Sequence, residues 1–301
     1  MTTVIEVKDL VKTFGRTRAL DGLDLSVDEG EVHGFLGPNG AGKSTTIRVL
    51  LGMLRGRSGS ATVFGRDPWR DAVEIHRDVA YVPGDVSLWP NLSGGEAIDF
   101  LTRLRGGADT ALRARLLRDF DLDPKKKGRS YSKGNRQKVA LVAAFARPAK
   151  LYVLDEPTSG LDPVMESVFR AEIERVQKDG ATVLLSSHIL SEVEQLCDRV
   201  TIVRAGKAVE TGTLSEMRHL TRTSFRVATT ASLADVAKLA GVHDARSEAE
   251  QLVFDADTDA VNGVLAALTK AGVSSLAVTP PSLEELFLRH YGDRIETEPA
   301  A

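Results

Sequence analysis

Apolar and polar positions over the larger, N-terminal part of the chain predict strands and helices in alternation. Leu23, Leu25 and Val27 alternate with polar residues, as in a strand with one buried face. The run 31–36 leads into a glycine-rich turn, and apolar residues at helical spacing follow over 44–54. This order of elements is typical of an α/β fold.

Two later runs, 151–154 and 182–185, are apolar and are followed by polar residues. Such runs are typical of parallel strands that are buried on both faces. Ligands bind at the carboxyl ends of these strands, so we expect the chemistry of the chain directly after the two runs.

The pattern changes twice along the chain. At about 88–135 it becomes helical and rich in arginine, which indicates a helical insertion. After about residue 220 the composition shifts toward alanine. We therefore predict two domains, 1–220 and a small C-terminal accessory α+β domain, 221–301.

The C-terminal part is predicted to contain short strands and helices, without a catalytic set of residues. Strands and helices are expected to alternate, beginning with a strand, at 225–228, 232–240, 252–254, 260–271 and 273–278. Ser282 begins a capping box, which predicts a last helix to about Tyr291.

Composition excludes several classes of protein. The 301 residues are 42% hydrophobic and 27% charged, which is typical of globular proteins. The net charge is -3, and without a basic excess we expect no nucleic-acid partner. The single cysteine, Cys197, excludes a disulfide framework and fits a reducing cytoplasm.

Neither a signal peptide nor a membrane span is expected. The first residues lack a basic segment followed by an apolar stretch, and no window approaches the roughly 18 apolar residues that a span needs. If the protein serves a membrane, we therefore expect it to do so from outside the bilayer.

Residues 37–44 match a phosphate-binding loop in full, between a predicted strand and a predicted helix. Glycines let backbone N–H groups point into one concavity, and the helix N-terminus adds positive potential. Lys43 would reach the β- and γ-phosphates of ATP, and the Ser44 hydroxyl would ligate Mg²⁺. The expected nucleotide-binding residues of this loop are Gly37, Pro38, Asn39, Gly40, Ala41, Gly42, Lys43, Ser44, Thr45 and Thr46.

Two adjacent carboxylates, Asp155 and Glu156, follow the apolar run 151–154. In phosphate-loop ATPases the first such carboxylate holds Mg²⁺, directly or through water. The second points the other way and can polarise the attacking water as a general base. Alone, the pair is equally consistent with a solvated strand end, but the loop upstream favours a catalytic pair.

Over about 4–216 the chain resembles the nucleotide-binding subunits of ATP-binding cassette (ABC) transporters. The sequence 131–138 is similar to the signature motif, and Asp162 ends a stretch similar to the loop that crosses the dimer interface. His188 matches the switch histidine, a catalytic position, and Phe14 the aromatic residue that stacks on adenine. The resemblance implies a phosphate-loop NTPase fold with a mixed sheet.

Two segments compete for the signature position. The segment 92–96 is nearer in spelling, but it lies at the start of the helical insertion. Ser132 is followed by an apolar helical stretch that leads to the strand ending at Asp155. A signature aims a serine hydroxyl and a helix N-terminus at the γ-phosphate held by the partner subunit. We therefore assign Ser132 and Gly134 to nucleotide binding.

The chain departs from the family pattern at Gly84, where most relatives place a glutamine that touches Mg²⁺ and senses the membrane partner. Either Asp85 ligates Mg²⁺ through water in its place, or this loop coordinates nothing. Trp89 is either a packing residue or part of a groove for a membrane partner.

The resemblance implies the energy subunit of an exporter of drugs or antibiotics. Two copies would sandwich two ATP molecules and drive a separate membrane permease, at the cytoplasmic face of the membrane. The alternatives are a soluble ABC-type ATPase that acts on ribosomes or DNA, a kinase that shares the loop, and a regulator that binds ATP without hydrolysing it. The transported compound is not readable from this chain.

Overall fold

The computed structural model divides the chain into two compact units, 1–211 and 212–301. It describes residues 2–219, 222–229, 236–248 and 251–279. Within these residues, no helix is both long and apolar enough to cross a membrane.

The first unit alternates strands and helices. Its strands are β1 (Thr3–Phe14), β2 (Thr17–Asp28), β3 (Val32–Leu36), β4 (Ser58–Val63), β5 (Val79–Val82), β6 (Leu151–Asp155), β7 (Thr182–Ser187), β8 (Arg199–Arg204) and β9 (Lys207–Thr213), the last reaching into the second unit. Its helices are α1 (Lys43–Leu50), α2 (Ala72–Asp78), α3 (Gly94–Arg103), α4 (Thr110–Asp119), α5 (Lys133–Phe145), α6 (Pro163–Lys178) and α7 (Leu190–Leu196).

A six-stranded sheet, in the order β5-β6-β7-β3-β8-β9, forms the centre of this unit. The pairs from β5 to β8 are parallel, and every residue of β3, β6 and β7 is buried. Strands β6 and β7 contain the two apolar runs of the sequence, since helices cover both faces of such a sheet. The carboxyl ends of all three strands meet at one edge, which confirms the predicted α/β fold and brings three motifs together.

A second, antiparallel sheet in the order β2-β1-β4 packs beside the first one. Ile5 and Leu23 of this sheet share one buried cluster with Ile47 of α1 and with Leu151 of β6. The hydrophobic core therefore fixes α1, and the loop before it, between the two sheets.

Helices α3 and α4 lie in the arginine-rich region 88–135, for which the pattern predicts a helical insertion, and α5 begins at the end of that region. An ion network joins it to α6, because Arg115 of α4 donates two hydrogen bonds to Glu172, of 2.6 and 2.9 Å. Arg175 donates a third to the same carboxylate, at 2.9 Å. In the core, the ring of Phe145 in α5 stacks on the ring of Tyr152 in β6, which also joins the helical region to the sheet.

The second unit contains an antiparallel sheet in the order β11-β12-β10-β13. The rings of Phe225 and Phe254 stack in its core, together with Val264 and Leu268 of the helix α9. The described elements are α8 (Leu214–His219), β10 (Thr223–Thr229), β11 (Val242–Glu248), β12 (Gln251–Ala256), α9 (Val261–Ala271) and β13 (Val273–Thr279).

Three strands and one helix of this unit lie where the sequence predicts them, but β11 was not expected. It is an edge strand with mostly exposed, polar residues, so it lacks the apolar alternation that marks a strand. Of the helix expected at 232–240, the described part holds a single 3₁₀ turn, Val236–Lys238. The last helix expected from Ser282 lies outside the described residues.

Candidate nucleotide-binding and hydrolysis site

The loop between β3 and α1 has a backbone that requires glycine. A Cβ atom at Gly37 would lie 2.5 Å from the carbonyl oxygen of Val203, and Gly42 has a φ of 114°, which side chains rarely allow. The chain therefore curls tightly around the N-terminus of α1. Its N–H groups and the helix end together favour an anion at this place.

The Lys43 side chain lies inside this curl and is only 4% exposed. Its ammonium donates hydrogen bonds to the carbonyl oxygens of Gly37 (2.5 Å) and Pro38 (3.2 Å). Burial lowers the pKa of Lys43, while the negative charges of Glu156 and Asp155 oppose that change. A triphosphate would exchange the carbonyl contacts for phosphate oxygens and offset the burial of the charge.

One residue of the predicted set has its donors engaged elsewhere. Both the backbone N–H and the hydroxyl of Thr46 donate to the carbonyl oxygen of Gly42, at 2.9 and 3.0 Å. The fully buried Thr46 therefore offers no donor to a phosphate. Ser44 and Thr45 are half-buried at the start of α1, where their hydroxyls can reach a ligand.

Register between β6 and β7 fixes the acidic pair. Asp155 lies opposite Ser186, whose hydroxyl donates to Asp155 Oδ1 at 2.5 Å. The N–H of Glu156 donates to the carbonyl oxygen of Ser186 at 3.1 Å. The N–H of Gly37 donates to the carbonyl oxygen of Ser187 at 3.3 Å, so β7 also holds the phosphate loop in place.

Glu156 adopts a left-handed backbone conformation, with a φ of 48°. This conformation is uncommon for residues other than glycine, and such strain gathers at functional sites. It turns the carboxylate of Glu156 toward the side chains of Lys43 and His188. Glu156 Oε1 lies 3.7 Å from Lys43 Nζ and 3.3 Å from His188 Nδ1.

The candidate metal ligands, Ser44 and Asp155, suit Mg²⁺. This ion usually binds one or two carboxylates together with substrate phosphates and water. No cluster of three or more His, Cys, Asp or Glu side chains in the described part of the chain could hold a metal alone. Burial and the negative charge of Asp155 raise the pKa of the neighbouring Tyr81 to about 12, so that tyrosine stays neutral.

Gly84 lies directly against Asp155. A Cβ atom here would be 3.2 Å from the Asp155 carbonyl oxygen and 3.6 Å from its carboxyl carbon. The loop therefore approaches the metal carboxylate with backbone alone. Asp85 beside it is exposed.

Phe14 lies at the end of the β1–β2 hairpin with its ring half exposed. The ammonium of Lys12 sits 5.2 Å from the ring centroid, a cation–π distance. Lys12 is itself fixed by a hydrogen bond of 2.8 Å to the Arg55 carbonyl oxygen. The ring is thus held in a position from which it can stack on a flat ligand.

Ser132, Gly134 and Asp162 lie together, and in the described part of the chain no hydrogen bond joins them to the phosphate loop. The exposed Ser132 caps α5, since its hydroxyl accepts from Asn135 N–H at 3.3 Å, and Asp162 caps α6. A Cβ atom at Gly134 would lie 2.2 Å from the carbonyl oxygen of Gly160. The start of α5 therefore rests on the loop that leads from Glu156 to α6.

The competing segment 92–96 starts α3. Ser93 and Glu96 form a reciprocal capping box, with hydrogen bonds of 2.6 and 3.2 Å. A Cβ atom at Gly94 would lie 2.2 Å from the Tyr131 hydroxyl oxygen, so the segment packs under the residue before Ser132. The hydroxyl of Ser93 therefore caps the helix that it begins, α3.

Sequence reasoning missed three residues that hold the site. The hydroxyl of Ser186 fixes Asp155, and the Gln137 amide donates to the Pro157 carbonyl oxygen at 3.0 Å. The Glu192 carboxylate accepts hydrogen bonds from Thr158 and Ser187. A serine at a strand end gives a weak signal for the first of these, but the other contacts join distant parts of the chain.

Comparisons with known proteins agree with this geometry. Residues 20–159 match the family model described as ABC transporter. The chain is 34% identical to the daunorubicin resistance ATP-binding protein DrrA3 of Streptomyces coeruleorubidus, over 99% of each chain. It is 36% identical to the bacitracin transport ATP-binding protein BcrA of Bacillus licheniformis, over 70% of each.

A solved structure described as the ATP binding subunit of an ABC transporter has the same fold. Its sequence is 33% identical, the TM-score is 0.67, and the match covers 72% of this chain and 92% of that one. The first unit therefore has the fold of an ATPase cassette, and the similarity to DrrA3 extends through the second unit as well. The chain belongs to the ABC transporter family, as one of its ATP-binding, ATP-hydrolysing subunits.

Proposed function

We propose that this protein energises the efflux of drugs, antibiotics or similar hydrophobic compounds through a separate membrane permease. The observation that best supports this proposal is that the side chains of Lys43, Glu156 and His188 lie close together at one edge of the sheet. This site lies in a chain that matches a drug-resistance ATP-binding protein over nearly its full length. The protein would act at the cytoplasmic face of the membrane.

The phosphate loop would bind the triphosphate of ATP. Its backbone N–H groups and Lys43 neutralise the phosphate charge, and Phe14 stacks on the adenine. Ser44 and Asp155 would hold Mg²⁺, with Ser186 keeping the carboxylate in place. When bound, Mg²⁺ would neutralise the charge that develops on the phosphates during hydrolysis.

Glu156 would accept a proton from the attacking water. Lys43 Nζ and His188 Nδ1 lie near its Oε1 atom, so the carboxylate is held where a general base would be needed. With a triphosphate in the loop, the Lys43 ammonium moves onto the phosphates and Glu156 faces the water. His188 would orient that water and contact the γ-phosphate.

A second copy of the chain would complete the site. Ser132 is exposed at the start of α5, and its cap leaves the hydroxyl hydrogen free to donate. The helix N-terminus favours the γ-phosphate bound by the other copy. Asp162 on the adjoining loop would lie across the same interface.

An apolar groove of about 720 Å³ in the first unit fits a permease segment. Met53, Val73, Trp89 and Leu104 line it and expose much of their apolar surface, which is typical of a binding site. The groove contains arginines and no carboxylate, so it favours an apolar helix that carries an acidic residue.

The proposal is tested by transport. The neighbourhood of the gene for this chain is first searched for a gene that encodes a multi-span membrane protein. The chain is co-expressed with that candidate permease, and ATP-dependent uptake of daunorubicin into inverted vesicles is followed by fluorescence. We expect uptake that Lys43→Ala abolishes. Absence of uptake of daunorubicin and bacitracin, together with ATP turnover stimulated by ribosomes or DNA, would favour the alternative of an ABC-type ATPase with a non-membrane partner.

A further inference from the structure

Glu192 of α7 joins the two catalytic loops of the first unit. Its carboxylate accepts one hydrogen bond from the Thr158 hydroxyl, and a second from the Ser187 hydroxyl at 2.7 Å. Thr158 and Ser187 are both buried, and Glu192 is half-buried. Both hydroxyl groups donate to the same carboxylate, so a displacement of either loop would break a hydrogen bond to Glu192.

Thr158 carries the first of these loops. The N–H of Leu161 donates to the Thr158 carbonyl oxygen at 2.9 Å, and the N–H of Ser159 donates to Glu156 at 3.1 Å. These bonds make 156–161 one compact turn. A displacement of Thr158 would therefore move the backbone of Glu156, which is already held in a left-handed conformation.

Ser187 carries the second loop. Its hydroxyl oxygen accepts a hydrogen bond of 2.9 Å from the N–H of Ile189, and so closes a turn around His188. Glu192 receives the hydroxyl hydrogen of Ser187 and fixes the rotation of that side chain. The position of the His188 ring consequently depends on a residue four positions further along the chain.

We propose that Glu192 is a positioning residue for ATP hydrolysis. It holds the Glu156 turn and the His188 turn in one mutual geometry and does not touch the substrate itself. Reacting groups that are misplaced by about 1 Å can lower a rate by about 100-fold, so a clamp between two catalytic loops acts on turnover more than on binding. This inference rests on the roles proposed above for Glu156 and His188.

Four variants of the full chain test the clamp. Glu192→Ala removes both contacts, whereas Glu192→Gln keeps two polar atoms that serine and threonine hydroxyls can pair with by reversing one bond. Thr158→Val removes one contact with little change in volume. Glu174→Gln is the matched control, since Glu174 is an exposed glutamate on α6, 3.9 Å from Lys178. For each variant we measure kcat, KM for ATP, nucleotide affinity and melting temperature.

We expect Glu192→Ala to lower kcat by about 10- to 100-fold, with KM and nucleotide affinity changed less than about 2-fold. Glu192→Gln recovers most of the turnover, and Glu174→Gln behaves as wild type. As a single substitution, Thr158→Val lowers kcat. In the Glu192→Ala background it has no further effect, because the two residues act through one contact.

Any of three results would overturn the proposal. The first is an unchanged kcat in Glu192→Ala, and the second is a parallel loss of kcat, nucleotide affinity and stability that Glu192→Gln does not restore. The third is that the effects of Thr158→Val and Glu192→Ala on kcat are additive. If Glu192→Ala does not fold, Thr158→Val decides the question, because it removes one contact of the same carboxylate. A lower kcat with unchanged nucleotide affinity would then support the clamp, and an unchanged kcat would overturn it. Normal turnover in Glu156→Gln would instead refute the proposed catalytic roles, independently of Glu192.

Discussion

His188 Nδ1 lies 3.3 Å from Glu156 Oε1, and Lys43 Nζ approaches the same oxygen from another strand end, at 3.7 Å. One carboxylate oxygen thus lies near the two side chains that would contact the γ-phosphate. The lysine follows β3, the glutamate β6 and the histidine β7, so the parallel sheet fixes their separation. The candidate base is therefore placed by the core of the fold.

Replacing Glu156 by glutamine is expected to separate nucleotide binding from hydrolysis. The amide keeps the shape of the carboxylate but cannot accept a proton, so kcat falls by at least about 100-fold, the lower end for a general base. ATP affinity is retained, because Lys43 and the loop backbone are intact. Single-turnover hydrolysis and equilibrium binding measure the two effects, and Glu174→Gln is the surface control. Near-normal turnover would remove Glu156 from its proposed role.

Most of the sheet edge could be predicted, because it depends on local patterns. Apolar runs such as 182–185 mark buried strands, and the polar residues after them mark the functional edge. The phosphate loop was readable because its glycines meet a backbone requirement that few other turns share. The α/β fold and the position of the candidate site follow from these signals.

The contacts that hold the site in place were not predictable. Ser186 meets Asp155 only through the register of β6 and β7, and Glu192 meets Thr158 across 34 positions of the chain. No local periodicity reports such pairs. The edge strand β11 was missed for a different reason, since one polar, exposed strand can complete a sheet without an apolar pattern.

Replacing the serine by alanine in each of the two candidate signature segments, at Ser132 and at Ser93, is expected to affect dimerisation differently. In the Glu156→Gln background, Ser132→Ala should weaken the ATP-dependent dimer at least about 10-fold, since a hydrogen bond to a charged group contributes about 1.5–3 kcal/mol. Ser93→Ala removes a comparable helix cap, which costs about 1 kcal/mol of stability, and should leave the dimer unchanged. Light scattering with ATP measures both. Equal effects would contradict the assignment of Ser132.

The exposed ring of Phe14 is expected to contribute to affinity for the base and not for the phosphates. Phe14→Ala should weaken ATP binding by about 1–3 kcal/mol, whereas Phe14→Tyr retains it. Inorganic tripolyphosphate, which has no base to stack, should bind both variants as it binds wild type. Calorimetry gives these affinities, and Trp69→Ala is the control for loss of an exposed aromatic ring. An equal loss for both ligands would place Phe14 outside the adenine site.

A charge placed in the apolar groove is expected to block coupling without affecting the isolated ATPase. Leu104 is 70% exposed and lines the groove. Leu104→Glu should therefore abolish the drug uptake that we propose for the ATPase together with its permease. Basal turnover should stay within about 2-fold, because a surface substitution disturbs the fold little. Leu265→Glu, an exposed leucine of the second unit, is the control. Normal uptake in Leu104→Glu would exclude the groove as the permease site.

Glu172 is expected to make the stability of the first unit depend on pH. Burial opposes the charge of this carboxylate, which is 3% exposed, but hydrogen bonds from Arg115 and Arg175 outweigh that effect and hold the pKa of Glu172 below its ordinary value. A carboxyl group with a lowered pKa in the folded state stabilises the protein above its unfolded-state pKa of about 4.3. That contribution is lost as the pH falls through the lower, folded-state pKa.

Glu172→Gln should therefore lower the free energy of unfolding by about 2–3 kcal/mol near pH 7, less than for a fully buried ion pair because both arginines stay partly exposed. The difference from wild type should hold down to about pH 5 and shrink below it. Urea unfolding followed by the fluorescence of Trp69 and Trp89, both in the first unit, measures it. Glu174→Gln, at an exposed pair, should change the free energy by less than about 1 kcal/mol. A difference that persists unchanged below about pH 4 would show that the charge of Glu172 does not stabilise the contact between α4 and α6.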